Sequence, residues 1–170
     1  MITYSEYEAY FEGLATSLVD IAHTEEQPKF AIMDIDDILG SQRGKIDFTS
    51  PVMILENPEG RLAYKHDQLQ DENLGAFHIL QDAGRDNPNK KRQIMDLTKT
   101  IGTKIISRMQ YDKLQKATGA AGIPQMLLYF DLAQVRYLKI GPIFSGCYGW
   151  RFEINLGEQT PLIYDEDDWT

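Results

Sequence analysis

The stretch Tyr148–Leu156, YGWRFEINL, places a large apolar or aromatic side chain at every second position. The positions between them carry Gly149, Arg151, Glu153 and Asn155. Because successive side chains of a strand point to opposite faces, this alternation predicts a β-strand with one buried face. It is the clearest periodic signal in the chain, so the sequence predicts a fold built around a sheet.

A first helix is predicted near the amino terminus, where apolar residues recur at steps of three and four. Two capping boxes compete for its start, Ser5–Glu8 and Thr3–Glu6. The helix is expected to end near His23–Gln27, before Pro28, because proline does not continue a helix. Its predicted buried face consists of Tyr7, Phe11, Leu14, Leu18 and Ile21.

A second, longer helix is predicted to start at Asn87 as the cap, with Pro88 in its first turn, and to end near Lys116. Gly102 lies within the helical pattern, where it indicates close packing rather than phosphate binding. Three cations in the first turns oppose the helix dipole, which favours an interaction role for this end. The predicted apolar face is Ile94, Leu97, Ile101, Ile105 and Met109.

The remaining apolar runs predict strands, and a polar loop is expected at Asp67–Gly75. A hairpin is expected over residues 51–65, with Asn57–Gly60 as its turn. Gly141-Pro142 is expected to break the strand run, and the last strand to end by Leu156. The predicted strands before that last one are Phe30–Ile38, Val52–Glu56, Arg61–Lys65, Ala76–Asp82, Met126–Asp131 and Val135–Ile140.

This element order predicts an α+β fold, since helices do not alternate with strands as they do in a doubly wound sheet. We expect an antiparallel or mixed sheet of about six to seven strands with both helices packed on one face. Residues 1–157 are expected to form a single domain, and residues 158–170 an acidic tail.

Length and composition exclude several classes of protein. The chain has 170 residues and a formal net charge of −9, which disfavours general nucleic-acid binding. Its longest apolar run, Met126–Phe130, is far below the roughly 20 residues that span a bilayer, so no membrane role is expected. The single Cys147 cannot form an internal disulfide, and the first residues do not resemble a signal peptide, so a soluble protein of cytosolic origin is expected.

Charge is unevenly distributed along the sequence. Residues 90–116 contain eight Lys and Arg but two Asp, whereas the carboxyl-terminal end carries a run of acidic residues beside Trp169. Three interpretations stay open: a solvated basic helix, a charge-bipolar subunit whose basic helix meets the acidic tail of the next copy, or a DNA-facing helix. Trp169 is either an anchor for a partner groove or part of a disordered terminus. The candidate interface residues are Lys90, Lys91, Arg92, Lys99, Asp165, Glu166, Asp167, Asp168 and Trp169.

Residues that bear chemistry form no strong motif. The segment Phe30–Leu39 looks like the first motif of haloacid-dehalogenase-type phosphatases, in which Asp34 would be the nucleophile and Asp36 the acid/base with Mg²⁺. Its context fails, because a loop and a hairpin follow where that family has a helix. His23, His66 and His78 lack metal-ligand spacing, and His78 is expected in the sheet. Cys147 is expected to be a buried, inert thiol. No catalytic residue, metal or cofactor is therefore predicted.

The order of one helix, a hairpin, a further strand, a long second helix and closing strands resembles the tail-terminator and neck proteins of long-tailed bacteriophages. The resemblance covers roughly residues 5–156, and the segment Gly146–Ile154 resembles their final strand. It implies a non-enzymatic virion protein, made in the bacterial host cytoplasm. It also implies a homo-oligomeric ring, often a hexamer, that contacts other tail or neck proteins.

Two other functions stay open at this point. One is a monomeric acidic binding protein, such as an immunity-type inhibitor of a basic toxin, because acidic patches steer association with basic partners. The other, more remote, is a Mg²⁺-dependent phosphatase that uses Asp34 and Asp36.

Overall fold

The computed structural model describes residues 2–34, 46–65, 68–84, 87–144, 146–160 and 163–169. Within these ranges, two helices and six strands form an α+β fold around a mixed sheet, as predicted. The elements are α1 (Tyr4–Ser17), β1 (Phe30–Met33), β2 (Val52–Glu56), β3 (Glu59–Lys65), β4 (Gln68–Asp82), α2 (Pro88–Ala117), β5 (Arg136–Ile143) and β6 (Cys147–Gln159), with 3₁₀ turns at Gln125–Tyr129, Leu132–Gln134 and Glu166–Asp168.

Strand order across the sheet is β1-β2-β4-β6-β5, and β3 pairs with β4. Only the β1–β2 pairing is parallel among these strands. Since β6 occupies one edge of β4, β2 and β3 follow one another along its other edge. The predicted hairpin over residues 51–65 is therefore wrong, because β2 and β3 run in the same direction and each pairs with β4. Asn57-Pro58 interrupts this edge rather than reversing it.

The polar segment predicted as a loop at Asp67–Gly75 is instead strand from Gln68 onwards; Asp67 itself lies outside the described residues. This half of β4 pairs with β3 on one side and with the end of β6 on the other. Part of the β3–β4 pair faces solvent, since Leu62 and Tyr64 are exposed. This half of β4 therefore lacks the apolar alternation that marks a half-buried strand.

Both helices pack on the same face of the sheet, as predicted. Their apolar side chains share one core with inward-facing strand residues such as Phe77 and Phe152, whose rings stack 5.1 Å apart. A second, smaller cluster lies around Val52, Leu80 and Cys147. Cys147 is fully buried, as expected for a thiol in this position.

Helix α1 uses the Thr3–Glu6 capping box, in which each side chain bonds the other residue's backbone N–H. It ends at Ser17, earlier than the predicted His23–Gln27. Leu18 is extended, and the backbone N–H groups of Ile21 and Ala22 both donate to Leu18 O. This turn keeps Ile21 buried, so the apolar spacing continues after the helix has stopped.

Helix α2 starts as predicted, with the Asn87 side chain accepting from the backbone N–H of Lys90 and Pro88 in the first turn. Its predicted apolar face is buried except for Leu97, which is 40% exposed. Gly102 lies against the Phe152 ring, where an added Cβ would come within 2.0 Å of Phe152 Cε2. This glycine therefore permits close packing, as expected, and its neighbour is a strand residue.

Three predictions for the last third of the chain are wrong. Met126–Asp131 is not a strand, because its apolar residues are buried within and just after a 3₁₀ turn. Gly141-Pro142 lies inside β5, which absorbs it through a register shift between Ile140 and Ile143. The last strand extends past Leu156 to Gln159, which pairs with Gln70.

Two remaining findings concern the end of β1 and the character of the helices. Strand β1 ends at Met33, and residues 35–38 of the strand predicted at Phe30–Ile38 lie outside the described residues. In the part of the chain that the structure describes, no helix is long and apolar enough to cross a membrane.

Candidate interaction surface

A groove lies between the first half of α2 and strands β5 and β6, with a volume of about 550 Å³. The indole Nε1–H of Trp150 donates to Met95 O at 2.8 Å, which fixes the strand against the helix. Three cations and one carboxylate share the lining with these apolar residues. We call this site the basic groove, and its lining is Pro88, Lys91, Arg92, Met95, Asp96, Lys139 and Trp150.

Two of the cations predicted as interface residues lie over aromatic rings. Lys91 Nζ lies 4.0 Å from the centroid of the Tyr148 ring. Lys99 Nζ lies 4.7 Å from the Tyr137 ring and 5.2 Å from the Trp150 ring. Cation–π contacts of this kind contribute roughly 0.5–1 kcal/mol at exposed sites and hold the ammonium groups in place. Lys91 of the basic groove is thus oriented by a ring, and Lys99 lies over the groove's Trp150 and its neighbour Tyr137.

The sequence predicts Lys91 and Arg92 of this groove, but not Lys139 or the aromatic residues. Tyr148 and Trp150 belong to the alternating face of β6 that was assigned to the core, yet both are only half-buried. Tyr137, on neighbouring β5, is 48% exposed. The sequence signal for the Tyr148 and Trp150 rings was their position on β6, because the aromatic face of that strand meets the basic start of α2.

The predicted acidic residues form a separate exposed surface after β6. Asp165 Oδ1 accepts from the backbone N–H of Asp167 at 3.0 Å and so caps the short turn at Glu166–Asp168. The rings of Tyr164 and Trp169 stack across this turn, 6.3 Å apart, and each residue is 70% exposed. We call Tyr164–Trp169 the acidic segment.

A third polar feature is a charge cluster around Glu56 in the sheet. Glu56 Oε1 accepts from His78 Nε2 at 2.5 Å and from Arg151 Nε at 2.6 Å, while Oε2 accepts from Arg151 Nη2 at 2.8 Å. Arg151 also donates through Nη1 to Glu153. Three adjacent strands thus supply one connected network, formed by Glu56 on β2, His78 on β4, and Arg151 with Glu153 on β6.

Electrostatics fix the protonation state of this network. Burial by itself raises the pKa of Glu56, but hydrogen bonds from Arg151 and His78, together with the charge of the Arg151 guanidinium, lower it to about 2. The same pairing raises the pKa of Arg151. His78 lies in the sheet, as predicted; it is fully buried, and its Nδ1 makes no hydrogen bond to the described residues. The cluster is therefore an ionised, bidentate Arg–Glu pair supported by a histidine.

The phosphatase-like residues lie beside this cluster. Asp34 and the Glu56–Arg151 pair border a cavity of about 680 Å³, and Asp34 accepts a hydrogen bond from Asn57 Nδ2. Asp36 lies outside the described residues, as does His66. His23 is engaged locally, its Nδ1 accepting from the backbone N–H of Lys29 at 3.0 Å. Within the described ranges, no group of three or more His, Cys, Asp or Glu side chains is arranged to hold a metal ion.

No protein-family model matches the chain, and comparison with curated proteins finds no match either. Functional inference therefore depends on the geometry of this structure. The basic groove combines cations with aromatic faces, which suits an acidic ligand that carries an aromatic anchor.

Proposed function

We propose that the chain is a non-enzymatic structural subunit that assembles into a homo-oligomeric ring. The structure keeps the two helices and the closing strands of the element order that resembles phage proteins but not its hairpin, and on this remaining resemblance we assign the ring to the tail-terminator or neck region of a long-tailed phage. It would contact other tail or neck proteins in the virion, after synthesis in the bacterial host cytoplasm. The alternative is a monomeric acidic binding module, which the net charge of −9 favours.

The observation that supports self-assembly is the placement of two complementary surfaces on one subunit. The basic groove includes Trp150, near the Cys147 end of β6, whereas the acidic segment follows its Gln159 end. Surfaces that differ in this way form head-to-tail contacts, which generate rings when the rotation between subunits closes. A subunit with opposite charges at its two ends is suited to such assembly.

The test is the native mass of the purified chain over a range of concentrations and salt, with negative-stain images of the same samples. A closed species of defined copy number, with a mass that is an integral multiple of 19.5 kDa, supports the ring. Raising the salt should dissociate it, because contacts between exposed charges are screened beyond roughly 8–10 Å near physiological ionic strength. Circular dichroism at each salt concentration shows that the subunits stay folded.

A strict monomer at every concentration would overturn the ring and favour the binding-module alternative. The phage assignment needs one further result, namely that the rings cap the ends of isolated tail tubes in electron micrographs. Rings that ignore tail tubes would leave a homo-oligomer outside the phage tail.

A further inference from the structure

We propose that the acidic segment, Tyr164–Trp169, of one copy docks in the basic groove of a second copy. This contact rests on the self-assembly proposed above and specifies the surfaces that make it. The occupant is a defined segment of the same chain, rather than a nucleic acid or an unrelated protein.

The two surfaces are complementary in both charge and apolar character. The acidic segment has four consecutive carboxylates, Asp165–Asp168, and the groove presents the cations Lys91, Arg92 and Lys139. Trp169 is a large, exposed aromatic residue of the type that anchors interfaces. The groove offers it the Met95 and Trp150 side chains. Lys91 is already held on the Tyr148 ring, so less side-chain entropy is lost when it meets a carboxylate.

With the Tyr164–Trp169 stack intact, chain length excludes docking within one copy. Thr160 is buried at one end of the sheet, where its backbone N–H donates to Leu69 O at 3.2 Å. Trp150, which pairs with Ile79 of β4, lies ten residues before Thr160 along the chain. At about 3.3 Å per residue, roughly 33 Å separate Thr160 from Trp150.

The acidic segment cannot cover that distance. Tyr164 is four residues after Thr160, and four residues span at most about 14 Å. Trp169 stacks on Tyr164 with ring centroids 6.3 Å apart, so the stacked pair stays within roughly 27 Å of Thr160 even when the intervening chain is fully extended.

Two of the three groove cations lie still farther away, whereas Lys139 pairs with Trp150. Helix α2 runs in the same direction as β6, because Met95 contacts Trp150 and Gly102 contacts Phe152. Lys91 and Arg92 precede Met95 and therefore lie beyond Trp150 as measured from Thr160. The groove that receives the acidic segment in its stacked conformation therefore belongs to another copy.

The experiment uses two full-length variants that each remove one half of the contact. Arg92→Glu/Lys139→Glu reverses two exposed groove cations and leaves the Lys91 and Lys99 ring contacts in place. Glu166→Lys/Asp167→Lys reverses the acidic turn and keeps its Asp165 cap. Each variant alone should show a self-dissociation constant raised by at least about tenfold in sedimentation velocity, since like charges then face each other.

A matched control separates this contact from a change in net charge. Lys29→Glu/Lys116→Glu alters the net charge by the same amount as the groove variant, at positions outside the groove. This control should assemble like the unmodified chain. Thermal unfolding of all three variants shows whether each is folded.

Mixing the two interface variants gives the decisive result. One intact groove and one intact acidic segment remain in the mixture, and the reversed groove and the reversed segment are again opposite in charge, so the mixture should form species of at least twice 19.5 kDa although neither variant does so alone. A mixture that stays monomeric, or a groove variant that assembles normally, would overturn the contact. If these variants disprove the contact while the unmodified chain still forms rings, the proposed function is retained and the ring is held together by a different interface.

A peptide assay tests the contact without requiring a ring. An amidated, fluorescent peptide of residues 161–170 should bind the Glu166→Lys/Asp167→Lys variant, whose groove is intact, and should bind the groove variant at least about tenfold more weakly. Equal binding, or no binding to either variant, overturns the contact.

Peptide binding by a chain that never assembles would support the groove and overturn the ring. An unmodified chain that stops at a dimer would indicate reciprocal exchange of acidic segments, which also supports the contact and overturns the ring.

Discussion

Replacing Glu56 with glutamine should expose the energetic contribution of the Arg–Glu–His network. The Glu56 side chain is 10% exposed and accepts three hydrogen bonds from Arg151 and His78. Glutamine keeps the shape of the side chain and one carbonyl oxygen but removes the charge, so it resembles the protonated state of Glu56. Arg151 is then left partly buried with its more exposed partner, Glu153.

The size of the effect follows from the pKa of Glu56, which the network lowers from 4.5 to about 2. Because a tenfold change in acidity corresponds to about 1.4 kcal/mol, ionisation of Glu56 in the folded state contributes about 3 kcal/mol at pH 7. This agrees with the roughly 3–5 kcal/mol lost when one partner of a buried ion pair is removed. Glu56→Gln should therefore lower the free energy of unfolding at pH 7 by about 3 kcal/mol.

The stability contribution of Glu56 depends on pH, and its sign follows from the direction of the pKa shift. The pKa is lower in the folded state, so the unfolded chain binds more protons and the contribution is lost as the pH falls from about 5 towards 2. The difference between the unmodified chain and Glu56→Gln should shrink to about 1 kcal/mol at pH 2.5. Urea denaturation at both pH values, followed by circular dichroism, measures the difference directly.

Glu153→Gln is the matched control, because Glu153 bonds the same guanidinium but has a side chain that is 35% exposed. An exposed ion pair contributes less than about 1 kcal/mol, so this variant should cost no more than that at pH 7. Equal losses for the two variants would refute the role assigned to burial. An undiminished difference at pH 2.5 would refute the assignment to ionisation of Glu56.

Two other predictions concern packing and the boundary of the domain. Gly102→Ala should destabilise the chain by about 1–3 kcal/mol, seen as a lower melting temperature, because its Cβ would enter the Phe152 ring. Gly13→Ala, on the exposed side of α1 with no atom within 4 Å of the added Cβ, should instead stabilise it by roughly 0.5–1 kcal/mol; the same sign for both would contradict this view. Deleting residues 161–170 should leave cooperative urea unfolding intact. Deleting residues 158–170 should lower the midpoint, since it removes two pairings with β4 and the buried Thr160; unchanged midpoints in both would show that the end of β6 is dispensable.

Elements with a strong local signal could be predicted from the sequence. Alternation over Tyr148–Leu156 predicted the inner strand β6, and the Asn87-Pro88 pair predicted the first residue of α2. Competition between two capping boxes in α1 could not be decided in advance, because Thr3 and Ser5 both have a glutamate three residues later. In these cases the residues that define the structure are neighbours in sequence.

Features that depend on distant partners could not be predicted. Glu56 and Arg151 are 95 residues apart, and no periodic pattern links an acidic residue at the end of one strand to a basic residue on another. The same limit explains the hairpin error, because the turn residues Asn57-Pro58 predict a chain reversal unless β4 is known to be long enough to pair with both segments. The candidate site shows the limit as well, since Lys91 and Arg92 were predicted without Lys139 and without the neighbouring rings.

The geometry of β6 connects the fold to the proposed assembly. One strand passes beside the groove at Trp150 and ends at Gln159, just before the acidic segment, so the separation of the two surfaces is set by strand length. When copies join through the groove of one and the acidic segment of the next, an open row of copies leaves one groove and one acidic segment unoccupied at its two ends. Closing a ring satisfies both, whereas either interface variant alone has no intact pair of surfaces with which to start a ring. The copy number of the unmodified ring then depends on the rotation between neighbouring subunits, because the separation along β6 is the same in every copy.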